Sequence, residues 1–342
     1  MTKVVTFGEI MLRLSPPGFE RVFQSPVLSA TFGGGEANVA VSLAHFGLDS
    51  YYVTRVPAHA IGDAVVRFLR AEGVRTDFVL RGGERLGIYF AETGASQRAS
   101  TVIYDRAHSA ISDLAPGTVD WARVFDNAAW FHVTGITPAL GPNAAGCTAE
   151  ALAAARVAGA KISVDLNFRK TLWSESQAQA TMRPLLQYVD VLVANEEDIQ
   201  AVLGLDVEGT DVTAGRLNLD AYQRVARRVT DDFGPPLVAI TLRESASASN
   251  NGWSAALWDA RNASFVRSQR YDVGVVDRIG SGDSFAAGLI HGLVSGRGPE
   301  AALRFAVAAS ALKQTIPGDV NRVTTEEVDR LARGDASGRV RR

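Results

Sequence analysis

Residues 278 to 292 read RIGSGDSFAAGLIHG, and within them Gly280, Ser281, Gly282 and Asp283 form the segment best suited to chemistry. Three small residues let a backbone approach a charged group closely, and their N–H groups can converge on it. The small-residue apolar run that follows predicts a helix, whose N-terminus carries unpaired N–H groups and a partial positive charge. A carboxylate there has two roles open to it. Asp283 caps the helix, or it takes a proton from a hydroxyl while the turn beside it cradles an anion. Phosphoryl transfer needs the second combination: charge spreads over oxygens in flight, fixed donors stabilise it, and an aligned carboxylate removes the acceptor's proton.

The elements that must position this turn alternate along the chain. VVTFGEIML (4 to 12), SYYVTRV (50 to 56), AWFHVTGIT (129 to 137), KISVDLN (161 to 167), VDVLVAN (189 to 195) and PLVAITLR (236 to 243) read as strands. EANVAVSLAHFG (36 to 47) and DAVVRFLRAEGV (63 to 74) read as helices that end at or near glycine. Apolar strands alternating with helices predict an α/β domain, a mainly parallel sheet covered on both faces. Ligands in such sheets bind beyond the carboxyl ends of the strands. Between 76 and 106 the rhythm breaks. DFVLR, GIYFAET and STVIYDR are short strands separated by turns, with polar and apolar residues alternating as in a sheet with one wet face. With residues near 12 to 32 they are assigned to a small β appendage, either a lid or a decoration of the surface. SASASNNG (245 to 252) reads as a polar loop. The whole chain, 1 to 342, is read as one domain.

Composition narrows the function. The chain has 342 residues, 46% hydrophobic and 21% charged, with a net charge of −2. It therefore lacks the broad basic field that holds nucleic acid, and the closing GRVRR reads as a frayed tail. No apolar run is long enough to span a bilayer. A single cysteine, Cys147, excludes an internal disulfide and multi-cysteine metal sites. MTKVVTFGEIML has no signal-peptide pattern, and a cytoplasmic protein is expected. The phosphate loop GxxxxGK[ST] is missing, because no Gly-Lys pair occurs. DDFGPP (231 to 236) contains the Asp-Phe-Gly of protein kinases, but Gly234 and Pro235 read better as a helix stop. GGGEAN (33 to 38) does not fit the dinucleotide fingerprint, and the histidines at 45, 59, 108, 132 and 291 show no ligand spacing.

Two motifs more than 240 residues apart carry a resemblance. GSGD and GGGEANVAVSLAHFG, with VANEED between them, resemble the ribokinase-like carbohydrate kinases over nearly the whole chain. Several stretches, YDRAHSAISDLAPG (104 to 117), FHVTGITPAL (131 to 140), DLNFRKTLW (165 to 173) and ALKQTIPGDVN (311 to 321), are most similar to the branch that phosphorylates 2-keto-3-deoxygluconate. The resemblance implies a three-layer α/β/α fold with a β lid, ATP and Mg²⁺ as cofactors, a sugar acid as substrate, and a homo-oligomer formed through the lid. It implies that Asp283 is the general base and that Gly280, Ser281 and Gly282 form the anion hole. Gly34, Gly35, Asn38, Tyr89 and Tyr104 would hold the sugar. Arg106 and Arg169 would meet its carboxylate, or Arg169 the phosphoryl group; a guanidinium fork suits either. Asn195, Thr241, Arg243, Ser245 and Val307 would serve the nucleotide, and Glu197 and Asp198 the magnesium, through water.

The chain departs from the family pattern in four places. GEIMLRL lacks the Asp that relatives use for sugar hydroxyls, Asp277-Arg278 replaces Asp-Thr before the turn, and RESASASNNG replaces a glycine-rich segment. Asp198 stands where many relatives have Glu. A kinase for another keto sugar, a sensor without turnover and a nicotinamide oxidoreductase remain the rival readings.

Overall fold

A computed structural model describes residues 1–206, 218–245, 247–335 and 338. Among the described residues the central sheet has ten strands. Its parallel part comprises β1 (Lys3–Phe7), β4 (Asp49–Val56), β5 (Val79–Arg81), β8 (Ala128–Thr134), β9 (Lys161–Asp165), β10 (Val191–Ala194) and β11 (Leu237–Ser245). They lie in the order β11-β10-β9-β8-β1-β4-β5. An antiparallel edge extends it through β12 (Asn250–Asp259), with β13 (Ser264–Arg267) and β14 (Tyr271–Gly274) both paired to β12. A second sheet of four strands contains β3 (Ser29–Gly33), β2 (Met11–Ser15), β6 (Gly87–Glu92) and β7 (Thr101–Asp105), in that order.

Helices cover both faces of the large sheet. Pro142–Val157, Glu175–Leu185 and Leu219–Phe233 pack Ala151, Met182 and Val225 into one core. Gly35–His45, Ser281–Val294 and Pro299–Lys313 pack Leu43, Phe285 and Phe305 into the other. Gly288 lets the last two helices approach closely, since a Cβ there would stand 2.7 Å from the Ala306 Cα. That contact seats Ser281–Val294, and so the glycine turn before it, at the carboxyl ends of the parallel strands. Leu219–Phe233 ends at Gly234 in the left-handed region, as the glycine–proline stop predicts. No helix among the described residues is long and apolar enough to cross a membrane.

Three expectations are corrected. VVTFGEIML is two strands: β1 belongs to the large sheet, and after Gly8–Ile10 the chain crosses into the small sheet as β2. Gly8 and Glu9 are the only interruptions that mark the change of sheet. DFVLR is not part of the small sheet; β5 pairs in parallel with β4 at the edge of the large one, with Val79 packed on its core. SASASNNG is a loop only in its middle, at 247–249: β11 runs to Ser245 and β12 starts at Asn250, with Ala246 outside the described residues. Of GRVRR only Gly338 lies within the described residues.

Candidate active site

A cleft of about 430 Å³ opens beyond the carboxyl ends of the parallel strands. Strand order spaces its contents. Thr241 and Arg243 come from β11, Asn195 follows β10, Asp165 ends β9 with Asn167, Phe168 and Arg169 after it, and Glu9 follows β1. β11 and β1 are four strand spacings apart, roughly 19 Å at the usual separation. The small sheet adds Tyr89, and Tyr104 and Arg106 at its β7 end. The cleft gathers every residue singled out in the sequence except two. Val307 is wholly buried in the helix core, and Ser245 sits exposed at the end of β11 outside the lining.

Gly280 is the N-cap of Ser281–Val294, with φ +81°. A side chain there would collide with the Asp319 carbonyl, so the turn needs glycine on both counts. No side chain caps this helix. Asp283 instead lies inside its first turn, and its Oδ2 accepts a 2.7 Å hydrogen bond from Asn38 Nδ2. Asn38 in turn accepts the Gly34 N–H through Oδ1 (3.3 Å), so one amide joins the Gly34 turn to the carboxylate. Burial pushes Asp283 up to about 6, against the pull of Asn38, with Asp319 raising it and Arg169 and Lys313 opposing. The capping role is thereby set aside, and a buried carboxylate of raised basicity faces the cleft.

Buried charge fixes the turn from behind. Arg13 of β2 donates to Asp277 and Asp319, both at 2.6 Å. Asp277 also accepts the Ile279 and Gly318 N–H groups (3.1 Å each), and Tyr89 donates to Asp319. Lys313 Nζ, wholly buried, donates to the Asp277 carbonyl at 3.0 Å. The same contacts tie the small sheet, through Arg13 and Tyr89, to the glycine turn.

The β9 loop holds a second acidic group. Asp165 Oδ1 accepts the Asn167 N–H (3.2 Å), and Asn167 sits at φ +37°. Asp198 Oδ1 accepts the Phe168 N–H (3.0 Å), and Arg169 Nη1 donates to the Phe168 carbonyl (3.1 Å). Burial raises Asp198 to about 6 and lifts Asp165 well above the carboxylate range, the latter helped by the charges of Asp198 and Asp283. Arg169 is the cation among these acids. Asp198 is thus engaged in holding the loop that carries Arg169, while Glu197 is exposed on the cleft wall. Among the described residues no three acidic, histidine or cysteine side chains are grouped to hold a metal. One or two carboxylates beside a phosphate chain suffice for Mg²⁺, and Glu197 fits that pattern.

Glu9, Arg13, Asp165, Asp277 and Asp319 line or brace this cleft without having been singled out in the sequence. Glu9 is 2% exposed and accepts from Arg106 Nε at 2.8 Å and from its Nη2. The Arg106 guanidinium also lies 5.3 Å from the centre of the Tyr104 ring. The one available signal was charge at positions of apolar strands, as in GEIMLRL.

Comparison with known proteins gives the family and the fold. The model of the pfkB family carbohydrate kinases matches residues 1–325. A 2-dehydro-3-deoxygluconokinase structure from Thermotoga maritima is 50% identical with a TM-score of 0.94, covering 98% of this chain and 100% of that one. A pfkB family carbohydrate kinase from Listeria grayi is 33% identical with a TM-score of 0.89, covering 97% and 100%. A 2-dehydro-3-deoxygalactonokinase from Haloferax volcanii is 34% identical over 98% of each chain.

Proposed function

The chain belongs to the pfkB family of carbohydrate kinases, and we propose that it transfers the γ-phosphoryl group of ATP to the terminal hydroxyl of 2-keto-3-deoxygluconate. The observation that carries this is Asp283: buried, basic, held by Asn38, and set in a glycine turn that opens a helix. Asp283 takes the hydroxyl proton as the oxygen attacks the γ-phosphorus and the bond to the ADP oxygen breaks. The N–H groups of Gly280 to Asp283 receive the charge that develops, and Arg169 faces the group in flight. Tyr104 and Arg106 meet the other end of the sugar, and Gly34, Gly35 and Asn38 its middle. Asn195 and Thr241 line the nucleotide end. Mg²⁺ neutralises the phosphate chain when bound, and Glu197 would reach it through water. Chemistry that consumes ATP and a catabolic sugar acid suits the cytoplasm.

The Haloferax relative brings in the C4 epimer as a second substrate of the same class. Release of ADP should be measured with both 2-keto-3-deoxy acids, fructose and ribose. We expect one or both acids to exceed the neutral sugars in kcat/KM by at least tenfold. Preference for a neutral sugar would overturn the sugar-acid assignment.

A homo-oligomer through the small sheet is the expected assembly. Phe19, Phe23 and Val27, on the loop joining β2 to β3, and Ile103 of β7 are each more than half exposed. Phe23→Glu should shift sedimentation toward the monomer; an unchanged profile would place any interface elsewhere.

A further inference from the structure

We propose that Arg243 and Arg278 form a two-pronged clamp for the phosphate chain of the nucleoside triphosphate, an inference that rests on the kinase reading above. Both line the cleft with the Gly280–Asp283 turn, and both stand at departures from the family pattern. The carboxylates beside them are engaged elsewhere. Glu244, next to Arg243, pairs with Arg267 and Arg270, and Asp277, next to Arg278, pairs with Arg13. Neither clamp residue is ion-paired among the described residues. Glu196 feels the charge of Arg243 without reaching ion-pair distance, and burial and Arg243's like charge disfavour the Arg278 cation more than the charge of Asp277 favours it. Two guanidiniums that line one cleft with no ion pair of their own leave positive charge suited to a bound anion.

Position selects the anion. Arg243 belongs to β11, four strands from the β1 end where Glu9, Arg106 and the small sheet meet. A six-carbon sugar acid whose terminal hydroxyl lies at Asp283 and whose chain runs toward Arg106 does not extend to β11. A triphosphate whose γ-group is at the turn does have charge to place there. Arg278 is also held ready: its Nη2 donates to the carbonyls of Ser247 (3.3 Å) and Ala248 (2.9 Å). That hairpin turn is itself braced, because Ala248 N–H donates to the Ser96 carbonyl (2.8 Å) and Ser96 N–H to the Ser249 hydroxyl (2.9 Å). Arg278, fixed in this way, and Arg243 beside it take the place of the glycine-rich backbone that the resemblance leads one to expect.

The test is calorimetric binding of ATP, tripolyphosphate and adenosine to the wild type, Arg243→Ala, Arg278→Ala and Arg278→Lys, without sugar. Each alanine variant should bind ATP and tripolyphosphate about 10- to 100-fold more weakly, the scale of a charge-assisted hydrogen bond. Adenosine affinity should stay within about twofold, and Arg278→Lys, which keeps the charge and a donor for the hairpin carbonyls, should lose less than Arg278→Ala. Unchanged ATP affinity, or equal weakening of adenosine and ATP, would overturn the clamp. Failure of the kinase reading looks different: the wild type would turn over no sugar while the ATP arm held. If the wild type turns over sugar and the arginine variants bind ATP normally, the clamp alone falls.

Discussion

Asp283→Asn should lower turnover by roughly 10²–10⁴-fold, the usual scale for losing a general base, while sugar and nucleotide affinities change little. The substitution keeps the shape of the side chain, and an asparagine oxygen can still accept from Asn38 Nδ2, whose bond now goes to Asp283 Oδ2. The helix loses no cap, because Gly280 occupies that place. What disappears is the ability to take a proton. The pH profile gives an independent readout. Burial raises Asp283 to about 6, so its basic form prevails above that pH and is lost below it. Wild-type kcat/KM should therefore fall as pH drops through about 6, and that acid limb should vanish from the residual activity of Asp283→Asn. Near-normal turnover in the variant would reduce Asp283 to a residue of the turn's framework.

The glycine turn and its carboxylate were legible in sequence because their chemistry is local: four consecutive residues and the helix after them suffice. The joining of that turn to Gly34 and Asn38 rested on resemblance, and the Asn38–Asp283 bond, spanning 245 residues, supplies the contact that spacing alone could not. The parallel strands declared themselves as apolar runs. The antiparallel edge from β12 to β14 did not, since its start lay in a polar stretch read as a loop. Arg13 shows the limit most clearly. Its partners Asp277 and Asp319 are 264 and 306 residues away, and nothing in MLRLS says that this strand leaves the large sheet to face them. Val307 fails for the opposite reason. It lies on a helix buried on nearly every side, where position in the chain says nothing about reach to a cleft.

Arg106 gives the sharpest test of the substrate, and its partner dictates how the test is made. Nε and Nη2 both donate to Glu9, which is 2% exposed, so Arg106→Ala alone leaves a carboxylate buried and unpaired. That should cost about 3–5 kcal/mol of stability and obscure any effect on binding. Glu9→Gln with Arg106→Gln removes both charges together and keeps two polar amides in the pocket. Nη1 of Arg106 has no protein acceptor among the described residues and is left to donate. An anionic sugar needs that cation and a neutral one does not. Losing a desolvated charge-assisted partner costs about 2–5 kcal/mol, which is roughly 30- to 5,000-fold in affinity. The double variant should raise the Michaelis constant for the keto acid on that scale and leave a neutral keto sugar within a few-fold. Its melting temperature reports separately whether the pocket survives. Equal weakening of acidic and neutral sugars would make Arg106 only the counter-ion of Glu9. The carboxylate would then need another cation, and Arg169 lies beside Asp165, Asp198 and Asp283, where the proposed reaction puts the phosphoryl group. A sugar acid read at that end would approach Asp283 with its carboxylate rather than its terminal hydroxyl, which would remove the acceptor from the base and with it the proposed reaction.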